Sequence, residues 1–300
     1  MEIKEVTPIE AKTQESQTVS AKIPQNGGDI FNAFKNKFST TVRKFRVNTL
    51  DREVGFREVT VNEQKTLSKT SIENETRKDI IYDTQCQLIN RLCLEDGFDI
   101  YTLTEFDRIR LLMEIYQSNY FKNDITYRCK ECGKENAYRL DFQKIIDKFD
   151  NFDLRDEIFT TEDENRIFKF TINYPLVRTV SNFYRDYMKK YKGLTNHERQ
   201  ILDNFGNIEY VNLFIKEVEM IEKGNPSDRL TADLTLMTYA EVEKFIEMFP
   251  QNIIFSENGG VINYITTNFI EKLNGVFQYE KCAYCGAETT EGIGSLIDFF

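Results

Sequence analysis

The chain has 300 residues, with 39 basic and 49 acidic side chains and a net charge of -10. That balance argues against a protein that coats DNA or RNA, because binding to phosphates draws on clustered positive charge. No stretch approaches the roughly 18 uninterrupted apolar residues of a membrane span. The first twenty residues also lack the apolar run of a secretory signal, so a protein made in a cytoplasm is expected.

Residues 1–38 read as a flexible N-terminal arm. They are polar and carry Pro8, Pro24 and the Gly27–Gly28 pair, and only Phe31, Phe34 and Phe38 look able to dock. Residues 39–125 read as an N-terminal α+β region. KFRVNTL and EVGFREVTV predict two strands around Asp51 and Arg52. Thr60 followed by Glu63 makes a capping box, so a helix should follow. A second helix is predicted over about 76–94, with Ile80, Ile81, Leu88, Ile89 and Leu92 on its apolar side and Gly97 beyond its end. A third is predicted from Thr104, with Asp107 three residues on.

ITYRCKECGKENAYRLDF places a C-x-x-C between two β-like stretches, the arrangement of a metal knuckle at a hairpin tip. Residues 143–275 read as a second, mainly helical body. Within it RIFKFTINY alternates as a strand, with Phe168, Phe170, Ile172 and Tyr174 on one side and Lys169, Thr171 and Asn173 on the other; Pro175 stops it. Helical patterns follow at about 176–191, 196–222, 239–249 and 260–274. The chain then returns to a strand, VFQYE, a second knuckle, CAYCGAE, and an apolar tail over 292–300 that ends LIDFF. This tail reads as a docking element, either for the protein's own core or for a partner.

The two knuckles share one pattern. Cys129, Cys132, Gly133 and Glu135 match Cys282, Cys285, Gly286 and Glu288 as C-x-x-C-G-x-E. Thiolates separated by two residues can reach one tetrahedral ion, and the glycine permits the tight turn behind them. Four thiolates close the shell, so such a site holds structure and does not activate water. One structural zinc per chain, held by Cys129, Cys132, Cys282 and Cys285, is the expected cofactor. Its formal charge near about -2 would be offset by Arg128, Lys130, Lys134 and Lys281. A compact ribbon spaces its pairs about 15–20 residues apart. Here everything from Gly133 to Lys281 lies between them. The ribbon is therefore expected to be split into 126–142 and 276–291, with 143–275 inserted and the zinc clamping its base. A redox reading would need a thioredoxin-like βαβ context, which the sequence does not offer.

Other features have plainer readings. Cys86 and Cys93 share a helix face and are expected to pack in the core. His197, the single histidine, sits in the polar stretch TNHERQ and offers no relay with a distant nucleophile. No catalytic residue is expected. The acidic run Asp150, Asp153, Asp156, Glu157, Glu162, Asp163 and Glu164 could bind a cation, but a solvated loop is the simpler reading. NFYRDYMKKYK could grip a nucleic-acid strand. On a helix it would instead bury Phe183, Tyr184 and Tyr187 and turn Lys189, Lys190 and Lys192 to water.

The order of EVGFREVTVNEQKTL, LTEFDRIRLLMEIYQSNYF, ITYRCKECGKENAYRLDF and a final LIDFF resembles the T-even-type phage baseplate family, chiefly over residues 42–142. The resemblance implies a non-enzymatic role in assembling the tail baseplate hub, as a chaperone or minor structural subunit. The partners would be other phage hub or tail proteins, and the place the host cytoplasm during assembly or the baseplate itself. The fold expected is α+β: a split four-cysteine zinc ribbon with small β elements and a largely helical inserted body. A zinc-ribbon nucleic-acid adapter, such as a viral transcription factor, is the alternative.

Overall fold

The structure, a computed structural model, describes residues 42–74, 76–119, 124–129, 131–139, 141–195, 198, 209–256, 259–275 and 281–287. The expected arm, the strand at 276–280, His197 and the apolar tail lie outside the described residues.

β1 (Val42–Val47) and β2 (Arg52–Arg57) form the predicted hairpin, with Val47 opposite Arg52. Phe45, Val47, Val54 and Phe56 point to the core, as period-two alternation requires. α1 (Val61–Glu73) opens on the predicted capping box. The Thr60 hydroxyl accepts the Glu63 N–H, and the Glu63 carboxylate accepts the Thr60 N–H at 2.9 Å. α2 (Lys78–Leu92) buries Ile81, Leu88, Ile89 and Leu92. α3 (Glu105–Ser118) is capped by Thr104, whose side chain accepts the Asp107 N–H.

Asp107 also reaches beyond its own helix. Its carboxylate accepts the N–H of Asn48 at 2.7 Å and of Thr49 at 3.0 Å. The β1–β2 turn is thereby tied to the helix N-terminus, where negative charge is favoured. Asn119, at the other end of α3, accepts the Val59 N–H at 2.7 Å. The helix clamps the hairpin at both ends.

β3 (Asp124–Arg128) and β4 (Glu135–Arg139) form the second hairpin, antiparallel, with Arg128 opposite Glu135. α4 (Phe142–Phe149) follows. β5 (Glu157–Glu162), β6 (Arg166–Ile172), β7 (Ile215–Glu222) and β8 (Asn225–Asp233) form one antiparallel sheet in chain order. α5 (Val177–Tyr191) follows β6 in the chain before β7. α6 (Tyr239–Glu247), α7 (Gln251–Phe255), α8 (Val261–Ile265), a π turn (Thr266–Ile270) and α9 (Glu271–Gly275) complete the element order. The protein is α+β, as expected.

The sheet is the main departure from the expected helical body. Of the helix read over 196–222, residues 196, 197 and 199–208 lie outside the described residues, and from Ile215 the chain is strand β7 instead. The sequence there, IKEVEMIE, spaces Ile215, Val218 and Ile221 by three, which mimics a helical period. The register explains it: Thr171 pairs Glu217 but Ile172 pairs Ile215, so the strand bulges at this point. A bulge shifts the phase of the side chains, and Ile215 and Val218 both end up buried. β8 escaped notice because NPSDRLTAD has the composition of a turn. It is an edge strand, where proline and charge are tolerated. β6 follows its predicted alternation, except that Asn173 is also buried, donating to the Leu154 carbonyl at 3.0 Å.

One aromatic cluster runs from α3 into the sheet region. Phe106 lies 5.0 Å from Phe149 and 5.2 Å from Tyr174, and Tyr174 lies 5.4 Å from Phe269. Burial of each such ring is worth about 1.5–3 kcal/mol. Beside it sits a buried ion pair. Arg108, 2% exposed, donates to Glu105 at 2.8 and 2.5 Å and to Gln85 at 2.8 Å, and its guanidinium lies 4.2 Å from the centre of the Tyr82 ring. Tyr82 donates to the same Glu105 carboxylate at 2.5 Å. Burial and the Glu105 charge push the Tyr82 hydroxyl far above the ordinary phenol range. Cys86 packs fully buried next to this group, as expected of a core thiol.

Candidate metal centre

The first knuckle turns at the tip of the β3–β4 hairpin. Gly133 N–H donates to the Cys129 carbonyl at 2.8 Å, and Cys129 N–H donates to the Lys134 carbonyl at 2.9 Å. The second knuckle repeats this with Gly286 to Cys282 at 2.9 Å and Cys282 to Ala287 at 2.9 Å. Both glycines are left-handed, with φ of 68° at Gly133 and 71° at Gly286. The shared C-x-x-C-G pattern is thus one local geometry built twice, and a residue with a Cβ would be strained at either glycine.

The fold brings the two turns together. The four sulfurs of Cys129, Cys132, Cys282 and Cys285 all lie within 4.8 Å of one another. Cys129 Sγ is 3.7 Å from Cys285 Sγ, and Cys132 Sγ is 3.7 Å from Cys282 Sγ. Disulfide sulfurs would be about 2.05 Å apart. Bonds of about 2.3 Å from a central zinc to four sulfurs give a tetrahedron with edges of roughly 3.8 Å. The donor set and its dimensions therefore fit a tetrahedral ion. Cys129 and Cys282 are buried, while Cys132 and Cys285 are exposed, so each pair places one sulfur inward and one outward.

Two of the thiols are shifted in opposite directions. Burial pushes Cys282 up, but N–H groups of Tyr284 and Cys285, the Asn136 side chain and the Cys285 thiol outweigh it and bring it down to about 6. The backbone at Ala287 favours the Cys285 thiolate, yet burial and the sulfurs of Cys282, Cys132 and Cys129 push it up to about 12.

The surroundings are cationic in part. Arg128 donates from Nε to the Gly133 carbonyl at 2.8 Å, and Lys134 Nζ lies 4.8 Å from the centre of the Tyr284 ring, across the two knuckles. Lys281 is exposed, and Lys130 lies outside the described residues. Sequence reasoning missed Asn136, which accepts the Ala283 N–H of the opposite knuckle at 3.0 Å. Nothing marked it beyond its place one residue past the shared motif.

The family model for T4 bacteriophage base plate proteins matches residues 39–300. The chain belongs to that family. No curated protein and no solved structure matches it. The other candidate features of this baseplate-family protein do not converge on a site. The acidic residues are spread over separate partners: Asp150 on Arg110 at 2.6 Å, Asp156 on Lys216 at 2.8 Å, Asp163 on Arg166 at 2.8 Å, and Glu157 on the Tyr264 hydroxyl at 2.6 Å. Several belong to β5 and its flanks rather than to a free loop. In α5, Phe183 and Tyr187 are buried and Tyr184 is half-buried. Two of its basic residues pair with carboxylates on other segments, Arg185 with Asp83 at 3.3 Å and Lys190 with Glu209 at 3.3 Å. No helix among the described residues is long and apolar enough to cross a membrane.

Proposed function

We propose that the chain acts in assembly of the phage tail baseplate hub, by binding other hub or tail proteins rather than by catalysis, as a chaperone or minor structural subunit. The family match over residues 39–300 carries this reading. The work would be done in the host cytoplasm during assembly. Cys129, Cys132, Cys282 and Cys285 hold one structural zinc. When bound, the ion supplies four bonds that join the β3–β4 tip to the chain after α9. Four protein sulfurs leave no position open for a substrate, which fits a structural rather than a catalytic metal. Thiolate donors in a tetrahedron suit zinc or iron–sulfur chemistry; four sulfurs within 4.8 Å of one another are spaced for one ion, and a closed four-thiolate shell is the usual form of a structural zinc.

Purification of the tagged chain from infected cells, with identification of bound proteins, tests the reading. Hub or tail proteins should co-purify at fixed ratios. Recovery of nucleic acid that is released by salt, with no baseplate protein, would contradict it and favour a nucleic-acid adapter. Purified virions separate the two versions of the role: a minor subunit stays in the particle and a chaperone does not.

A further inference from the structure

We propose that Asn136 is the positioning residue that holds the two knuckles in the register one metal ion needs; this rests on the reading of the four cysteines as one metal site. Asn136 is the second residue of β4 and is only 5% exposed. Its Nδ2 donates at 3.1 Å to the Lys134 carbonyl, the same oxygen that accepts Cys129 N–H and closes the first knuckle. Its Oδ1 accepts at 3.0 Å the N–H of Ala283, which lies between the ligands Cys282 and Cys285. One planar amide thus joins the closing carbonyl of one knuckle to the backbone inside the other.

The residue type follows from the two contacts. One side must donate to a carbonyl and the other must accept from an N–H, and an amide offers both. Aspartate would lose the donor, face a carbonyl oxygen and add negative charge next to a thiolate cluster. Alanine would leave both backbone groups without this partner. The knuckles repeat as C-x-x-C-G-x-E and diverge at the next position, where Asn136 stands after the first and Thr289 after the second. Without Asn136 each knuckle keeps its own turn, through Gly133 to Cys129 and Gly286 to Cys282. Their mutual register would then rest on the ion and the Lys134–Tyr284 contact, at the expense of affinity.

Groups that orient metal ligands in this way change affinity by about 10–100-fold when removed. The test uses the full chain as wild type, Asn136→Ala and Asn136→Asp, with Thr126→Ala on the exposed side of β3 as control. Zinc affinity is read by competition with a chromophoric chelator, the ligand set by the visible spectrum of the cobalt-loaded protein, and folding by urea denaturation of the metal-free protein. Asn136→Ala should still bind one ion with a four-thiolate cobalt spectrum, about 10–100-fold more weakly. Asn136→Asp should bind more weakly again, and Thr126→Ala as wild type. Should Asn136→Ala fail to fold, Asn136→Ser, too short to span both contacts, carries the same expectation. An Asn136→Ala affinity within twofold of wild type would overturn the proposal. So would a loss of affinity that only mirrors a lower urea midpoint of the metal-free protein, since that is a folding effect. If the wild type itself binds neither zinc nor cobalt, the metal reading falls, and the proposal with it.

Discussion

Two regions of the molecule bring distant parts of the chain together, and they do it by different physics. Around Phe106 and Arg108, α2, α3 and the segment after β6 meet through large buried rings and one fully enclosed ion pair. At the knuckles, residues 129, 131–136 and 282–287 meet through four sulfurs, one Asn136–Ala283 hydrogen bond and the Lys134–Tyr284 contact, with only Cys129, Asn136 and Cys282 buried among the described residues there. The first region needs nothing from outside the chain. Among the described residues the second buries little apolar surface, and the proposed ion would close it, its binding energy being folding energy. Substitutions in one region should therefore leave the other largely untouched.

The largest effect is expected in the core. Arg108→Ala leaves the Glu105 carboxylate buried without its cation, which costs about 3–5 kcal/mol. Urea denaturation should show this loss while zinc content stays at the wild-type level. A fall in zinc in the folded variant would mean that the two regions are coupled. Cys86→Ser places a hydroxyl in the same buried setting and should cost about 1–3 kcal/mol, again with the metal retained.

A smaller, pH-dependent effect is expected at the start of α1. Burial works against the Glu63 charge, but Arg57 and the Thr60 donors outweigh it and hold the carboxyl at about 2. A folded-state value below the unfolded one stabilises at pH above the unfolded value and is lost as pH falls through the folded one. Glu63→Gln should therefore lower stability by about 1 kcal/mol at pH 7. The difference from wild type should shrink between about pH 4.5 and 2. A difference that does not change with pH would show that the box depends on shape rather than charge. The smallest effect on the core is expected from Cys282→Ser. It should abolish tight zinc binding and raise amide exchange over 281–287, yet leave the main unfolding transition in place. Loss of that transition would make the metal a tie for the whole fold.

The same contrast explains what was legible in the sequence. The cluster of four cysteines was readable because cysteine at fixed spacing, followed by glycine, has few other uses, and the motif occurs twice. The β1–β2 hairpin and α1 to α3 were readable because capping residues and alternation stand in one local stretch. β7 was not, because its bulge imitates a helical period, and β8 was not, because an edge strand tolerates turn residues. Asp107 reads as a local cap, and its grip on the β1–β2 turn exists only in three dimensions. Asn136 and the Glu105–Arg108 pair are of the same kind. Their partners lie on other elements or depend on burial, and neither is written in local sequence.

The central claim is that the four knuckle cysteines hold a single zinc ion. Elemental analysis of the protein purified without chelator, alongside Cys129→Ser and Cys282→Ser, tests it most directly. The account predicts about one zinc per wild-type chain, because four thiolates fill one tetrahedral shell. It predicts that either substitution alone removes most of the zinc, since each takes one sulfur from the same cluster. A wild-type protein without zinc, or zinc that survives both substitutions, would contradict it.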